Sequence, residues 1–465
     1  MSPSADRSPD KSPGQSLNQS SLNSATFSAD IFSSNAKFDS HLSIAGITAA
    51  SLVKEFGSPL FVVDEADFKA RALGFKSALE KHFGTNTGRV YYASKAFLNK
   101  EIARWIESVG LGIDVASGGE LAVALAVNFP ADRIEVHGNN KSEAEIEKAV
   151  LARVGAIVID SFHEIERVAR IAANHKVIQK VLIRVTPGIQ AHTHEFIATA
   201  HEDVKFGFSL ASGSAWKAIE EIEALKSLKL VGLHSHIGSQ VFDAEGFGIA
   251  AHRLIGLLAK FRDHFDDELP ELDLGGGFGI AYLPGEESIN PDFVLGELAK
   301  IVFEECANAG LRVPHISIEP GRAIAGPTTT TLYTVGTTKN IELDGGETRH
   351  YIAVDGGFTD NMRPALYDAK YHAILANRTS SAHDVTSRIV GKHCESGDII
   401  IRDINLPQDI APGDILAVPV TGAYGRQMAS NYNHLTRPAV IAVIDGKARI
   451  IVRRETEADL LALDI

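Results

Sequence analysis

Cysteine is close to absent. The 465-residue chain holds two, Cys306 and Cys394, which excludes a disulfide framework and fits a reducing compartment. Long apolar runs are missing too: nothing approaches the roughly 18 residues a membrane-spanning helix needs, so no membrane span is expected. The N-terminus lacks a charged segment followed by an apolar one, so no secretory signal is expected either. Positive charge is in deficit, with 45 Lys plus Arg against 59 Asp plus Glu and a net charge of −14. A surface with that balance repels phosphate backbones, so nucleic acid is not an expected partner. These absences leave a cytoplasmic enzyme as the expectation, and a local basic pocket stays compatible with the acidic total.

Residues 1–40 carry few large apolar side chains and are rich in Ser, Asn, Asp and Pro. Such a segment cannot bury enough surface to offset the entropy of ordering, and a disordered tail is expected there. The rest is long enough for two sizeable cores. PLFVVD (59–64) reads as a strand, and Glu65 to Phe83 as a helix with Phe68, Leu73, Phe75, Leu79 and Phe83 on a helical spacing. Eight short apolar runs follow: RVYYAS (89–94), GIDVAS (112–117), RIEVHG (133–138), AIVID (156–160), KVLIRV (180–185), LVGLHSHI (230–237), ELDLGG (271–276) and HISIEP (315–320). Helical patterns such as KEIARWIESV (100–109) separate them. This alternation predicts a (β/α)8 TIM-like barrel over 65–320. After Gly321 β-branched runs alternate with Gly and Asp turns, which predicts an all-β domain, a sandwich or small barrel, over 321–465. Residues 41–64 are expected to join it.

In such a barrel the C-terminal strand ends carry the site. The eight runs end near Lys95, Asp114, His137, Asp160, Arg184, His236, the Gly275-Gly276-Gly277 turn and Glu319. Lys95 would point into the barrel mouth, where desolvation would lower its pKa and suit it to Schiff-base chemistry with an aldehyde cofactor. Taken alone, it reads more readily as a solvated loop lysine, and the other rim residues reverse that. The backbone amides of Gly275–Gly277 can cradle a phosphate, although a glycine turn is also a plain strand–helix connection. GGGFG is not the dinucleotide fingerprint. His234 and His236 stand two apart on a predicted strand and should face the same way. No HExxH or paired-carboxylate pattern accompanies them, so a metal is not expected, and a flat imidazole lying on a cofactor ring is the alternative. Ser239 could add a phosphate donor.

Glu319 in EPGR needs a positive partner if buried; a protonated pyridine nitrogen or Arg322 would serve. Cys394 in CESGD could donate a proton to a carbanion, although a lone cysteine is more often a small buried hydrophobe, the reading given to Cys306. Arg363 precedes Pro364, where extended backbone is expected, and could grip a carboxylate. Tyr424 in GAYG could bond a phosphate or position a substrate.

Taken in order, YASKA, GIDVASGGEL, HGNNKS, HTHEFIATAHEDVKFGF, LHSHIGSQ, LDLGGGFGI, EPGR, NMRPALY, CESGD and GAYG resemble the fold-type III pyridoxal-phosphate decarboxylases. Within these, the chain most resembles the diaminopimelate decarboxylase family, over about residues 45–450. The resemblance implies that Lys95 is the covalent anchor of pyridoxal 5'-phosphate, that His236 stacks on its ring and that Glu319 pairs with the ring nitrogen. Ser239, Gly275, Gly276, Gly277 and Tyr424 would hold the phosphate. Gly321 and Arg322 would border the cofactor, and Asp114, Glu120 and Arg184 would support it from behind. Arg322, Arg363, Tyr367, Glu395 and Tyr424 would bind the amino-acid substrate. Cys394 would donate the proton from a second subunit, so a homodimer with shared sites is implied. Ornithine-type and arginine-type decarboxylases and racemases are the alternatives. The Cys394-Glu395 pair (Cys-Asp in the ornithine type) and Arg363, a cation for a second carboxylate, favour decarboxylation of meso-2,6-diaminopimelate to L-lysine and CO2, the last step of lysine biosynthesis. Alanine racemases place an arginine against the ring nitrogen, so Glu319 speaks for the stronger electron sink.

Overall fold

The computed structural model describes residues 26–188 and 205–465. Residues 1–25 of the expected tail, and most of the HTHEFIATAHEDVKFGF motif, lie outside the described residues.

Eight parallel strands form a closed barrel: β1 (Gly88–Ala93), β2 (Gly112–Val115), β3 (Ile134–Val136), β4 (Ala156–Ile159), β5 (Gln179–Thr186), β6 (Leu228–His234), β7 (Glu271–Asp273) and β8 (His315–Ile318). β8 closes on β1 through Ile316 opposite Gly88. Helices pack outside, and the strands are buried on both faces, which is why they read as continuous apolar runs rather than alternating ones. The helix Glu65–Phe83 leads into the barrel; Asp64 caps it by accepting from the Asp67 N–H at 3.2 Å.

A second sheet runs in the order Ile399–Pro407, Asp384–Val390, Thr348–Val354, Thr329–Glu342, Leu60–Asp64, Ala439–Ile444, Lys447–Val452. Leu60–Asp64 lies in its interior, antiparallel to Thr329–Glu342 and parallel to Ala439–Ile444. A strand that precedes the barrel thus belongs to the sheet that follows it. Among the described residues no helix is long and apolar enough to cross a membrane.

Two expectations need correction. Residues 26–40 are not an unstructured tail: Ile31 and Phe32 are buried, Ala36–Phe38 pairs with Leu42–Ile44, and Ser34 Oγ donates to Asp67 Oδ1 at 2.7 Å. Average composition hid a local cluster, Phe27, Ile31, Phe32 and Phe38, that docks on the folded chain. Arg363 is not extended before Pro364 but opens the short helix Arg363–Tyr367, because proline in a first turn sacrifices no hydrogen bond. β6 ends at His234, so His236 stands on the loop that follows the strand.

Candidate active site

The C-terminal strand ends open on a cavity of about 890 Å³. Lys95, two residues past β1, lines it with His236, Ser239, Gly277, Glu319, Gly321, Arg322, Arg363, Tyr367 and Tyr424. Lys95 is exposed, so the desolvation expected for it is not observed. Another cavity, of about 590 Å³, lies at the opposite end of the barrel around Arg89, Glu135 and Glu271; neither Lys95 nor the glycine turn borders it.

The glycine turn is built for close backbone approach. A Cβ on Gly276 would stand 2.1 Å from the Glu319 carbonyl oxygen. Gly277 has φ +109°, and a Cβ there would stand 2.3 Å from the Gly238 carbonyl oxygen. The Gly275 N–H donates to Asp273 Oδ1 at 2.7 Å and the Gly276 N–H to His236 Nδ1 at 3.2 Å. Burial, reinforced by the Lys95 and Arg184 charges, holds the His236 imidazole well below its usual pKa. The ring is therefore neutral, and because Nδ1 accepts, its proton sits on Nε2. Beside the turn, Arg322 Nη2 donates to Ser239 Oγ at 2.9 Å, and the guanidinium lies 4.8 Å from the centre of the Tyr424 ring. Tyr424 comes from the β domain; its N–H donates to the Ala96 carbonyl at 2.8 Å, tying that loop to the neighbour of Lys95.

Glu319 is buried at the cavity floor. Its Oε1 lies 3.1 Å from His137 Nε2 and 3.3 Å from His234 Nε2. Burial pushes this carboxyl up, but the two imidazoles outweigh it and hold the group well below the usual range. Asp114 does not border the cavity; burial and the Glu319 charge push it well above the usual range. Glu120 Oε2 accepts from Ser94 Oγ and the Ala116 N–H, both at 2.7 Å, and so braces the loop that carries Lys95. Arg184 lies over the Phe206 ring at 4.4 Å.

Two tyrosines that sequence reasoning missed hold the arginines. Arg322 Nη1 donates to the Tyr282 hydroxyl and Arg363 Nη1 to the Tyr371 hydroxyl, each at 2.6 Å. The two rings meet edge to face with centres 5.4 Å apart. Burial would raise the Tyr282 phenol, but the Arg322 and Arg363 charges more than offset it and lower its pKa. No periodicity or motif marks these tyrosines, which lie far apart in sequence.

Cys394 and Glu395 do not line this cavity within one chain; both are exposed on the β domain. Their loop is nevertheless fixed. Asp398 accepts the N–H groups of Phe358 at 2.7 Å and His393 at 2.9 Å, and the His393 ring stacks on Phe358 at 4.7 Å.

An open cavity at the strand ends holds an amine, a glycine cradle for an anion and a buried carboxylate on its floor. That donor set fits a phosphorylated pyridine aldehyde, and with the paired β domain it defines a fold-type III pyridoxal-phosphate enzyme. The family model for the pyridoxal-dependent decarboxylase, pyridoxal binding domain matches residues 66–326. The chain is 54% identical to a diaminopimelate decarboxylase of Mycobacterium leprae, over 91% of this chain and 89% of that one. It is 52% identical to the Mycobacterium bovis protein of the same name, over 91% and 94%. A crystal structure of diaminopimelate decarboxylase from M. jannaschii in complex with L-lysine superposes with a TM-score of 0.85 at 31% identity, covering 93% of this chain and 98% of that one. The chain belongs to the diaminopimelate decarboxylases. It is a carboxy-lyase, and pyridoxal 5'-phosphate is its cofactor.

Proposed function

We propose the following division of labour for the removal of CO2 from meso-2,6-diaminopimelate, which yields L-lysine and ends lysine biosynthesis. When bound, pyridoxal phosphate supplies an aldehyde for the substrate amine and a ring that takes up the electron pair left by CO2. Lys95 is its covalent anchor. His236 would lie against its ring, and Glu319 would pair with the ring nitrogen. Ser239, the Gly275–Gly277 turn and Tyr424 take the phosphate, with Gly321 and Arg322 bordering the cofactor. Asp114, Glu120 and Arg184 act from behind these groups.

Arg322, Arg363 and Tyr367 grip the carboxylate that is not lost. Glu395 takes the distal ammonium, and Cys394 delivers a proton to the carbon that has lost CO2. Both come from a second copy of the chain, because in one chain they stand away from the cavity. The working unit is therefore a homodimer with shared sites. Residues 65–320 form the cofactor-binding unit, and 41–64 with 321–465 the β domain that completes the site. Two cysteines with no disulfide between them suit the cytoplasm.

The observation that carries this reading is one cavity holding Lys95, Glu319 and the Arg322–Arg363 pair. Purified protein incubated with diaminopimelate, ornithine, arginine and alanine should release CO2 and lysine from the first. Lys95→Ala should abolish the near-visible absorbance of the bound cofactor. Cys394→Ala should lower turnover by roughly 10²–10⁴-fold, the usual weight of a positioned proton donor; unchanged turnover would remove that assignment.

A further inference from the structure

Beneath the cavity, a cluster of buried ionisable side chains gathers at the strand ends. His137, at the end of β3, faces Glu135 from its own strand, Asp114 from β2, His234 from β6, Asp273 from β7 and Glu319 from β8. Lys95 past β1 and Arg184 on β5 complete the ring. His137 Nε2 stands between two carboxylates, 3.6 Å from Glu135 Oε2 and 3.1 Å from Glu319 Oε1. Glu135 is 1% exposed, and neither of its oxygens accepts a hydrogen bond among the described residues. An ionised carboxylate in that position needs a positive neighbour. Among the described residues His234 pairs with one carboxylate, Glu319 at 3.3 Å, and its ring sits 5.0 Å from that of His137, edge to face. Two imidazolium rings so close would repel each other, so the geometry admits one charge, and the imidazole with two carboxylates is its natural holder.

We propose that His137 is a positioning residue for the decarboxylation. As an imidazolium it balances the buried Glu135 and Glu319 carboxylates, while His234 remains neutral and Glu319 remains ionised toward the cofactor's ring nitrogen. The proposal rests on the pairing of Glu319 with that nitrogen. The electrostatics agree. Burial alone would lower His137, but Glu319 and Glu135 outweigh it and raise it to about 10. Burial dominates at His234 and lowers it to about 4. Asp273 and Asp114 are pushed well above the carboxylate range, chiefly by burial and by Glu319. With the cofactor bound, Glu319 would then stand between the His137 imidazolium and the ring nitrogen.

Carbon-13 histidine spectra of the wild-type holoenzyme give the first test. At about pH 8.5, two units above the ordinary imidazole value, one imidazole should remain charged, and its resonance should vanish in His137→Gln. If every histidine is neutral at that pH, or if the charged resonance survives His137→Gln, the proposal fails. The wild-type spectrum decides this even if the variant does not fold. Cofactor affinity of the apoprotein gives the second test. His137→Gln should bind pyridoxal phosphate about tenfold more weakly, the effect of one pK unit, and the double variant His137→Gln/Glu135→Gln should recover much of the loss. A double variant as weak as the single one would overturn the charge-balance argument. Glu319→Gln separates the two levels. If it leaves cofactor absorbance and affinity unchanged, the ring-nitrogen pairing is wrong, whereas the charged imidazole of the wild type would still be observed.

Discussion

Tyr282 and Tyr371 illustrate how much of the site depends on side chains that no motif marks. Each accepts a 2.6 Å hydrogen bond from a buried guanidinium. A hydrogen bond to a charged group contributes about 1.5–3 kcal/mol. Tyr371→Phe should free Arg363 to swing and raise KM for diaminopimelate roughly tenfold while kcat changes little, because the grip on the distal carboxylate is common to ground and transition states. Steady-state kinetics check this; a fall in kcat at constant KM would contradict it. A second residue-scale prediction concerns Asp360, buried with Oδ2 accepting from the Tyr333 hydroxyl at 2.6 Å. Burial raises this carboxyl from 3.8 to about 7, with Tyr333 opposing it. Its folded pKa exceeds its unfolded one, so the stability it contributes is present below pH 4 and lost as pH rises through 7. The melting temperature of Asp360→Asn relative to wild type should therefore be higher at pH 8 than at pH 5. A difference independent of pH would contradict the assignment.

At the scale of elements, the glycine turn after β7 and the N-terminal lead-in make separate predictions. Gly276→Ala places a methyl against the Glu319 carbonyl, so β7 and β8 must part at the floor of the site. Overpacking of this kind costs about 1–3 kcal/mol, and the displaced amides should weaken pyridoxal phosphate binding by tenfold or more, measured by titrating the apoprotein. Phe32 is buried in a stretch whose composition reads as disordered. Phe32→Ala should destabilise the protein by about 3–5 kcal/mol in denaturant unfolding; an effect near zero would mean that the lead-in does not pack.

The whole molecule joins two sheets by one early strand. Leu60–Asp64 lies between Thr329–Glu342 and Ala439–Ile444, and Tyr424 returns the β domain to Ala96 beside Lys95. The barrel and the sheet therefore build the mouth of the site together, while Cys394 and Glu395 do not line it within one chain. If a second copy supplies them, mixing inactive Lys95→Ala and Cys394→Ala proteins should restore roughly a quarter of wild-type activity, because half the dimers are mixed and each mixed dimer has one intact site. No recovery after subunit exchange would contradict sharing.

Local order in the chain was enough for the barrel, since apolar runs and helical spacings repeat along the sequence, and for Lys95, Glu319 and the glycine turn, which sit at the ends of those runs. The chemistry of a strand end is a short-range property, and the family motifs carry it residue by residue. Other features depended on chain closure. The Tyr282–Arg322 and Tyr371–Arg363 pairs and the packing of Phe32 against the core join residues whose separation follows no period. Side-chain direction beyond a strand's last residue, and the partners of a buried charge, are set by what the rest of the fold brings alongside. Hydrophobic patterning encodes which face is buried, whereas it takes the closed barrel to determine which ionisable groups must share that interior and which of them carries the charge.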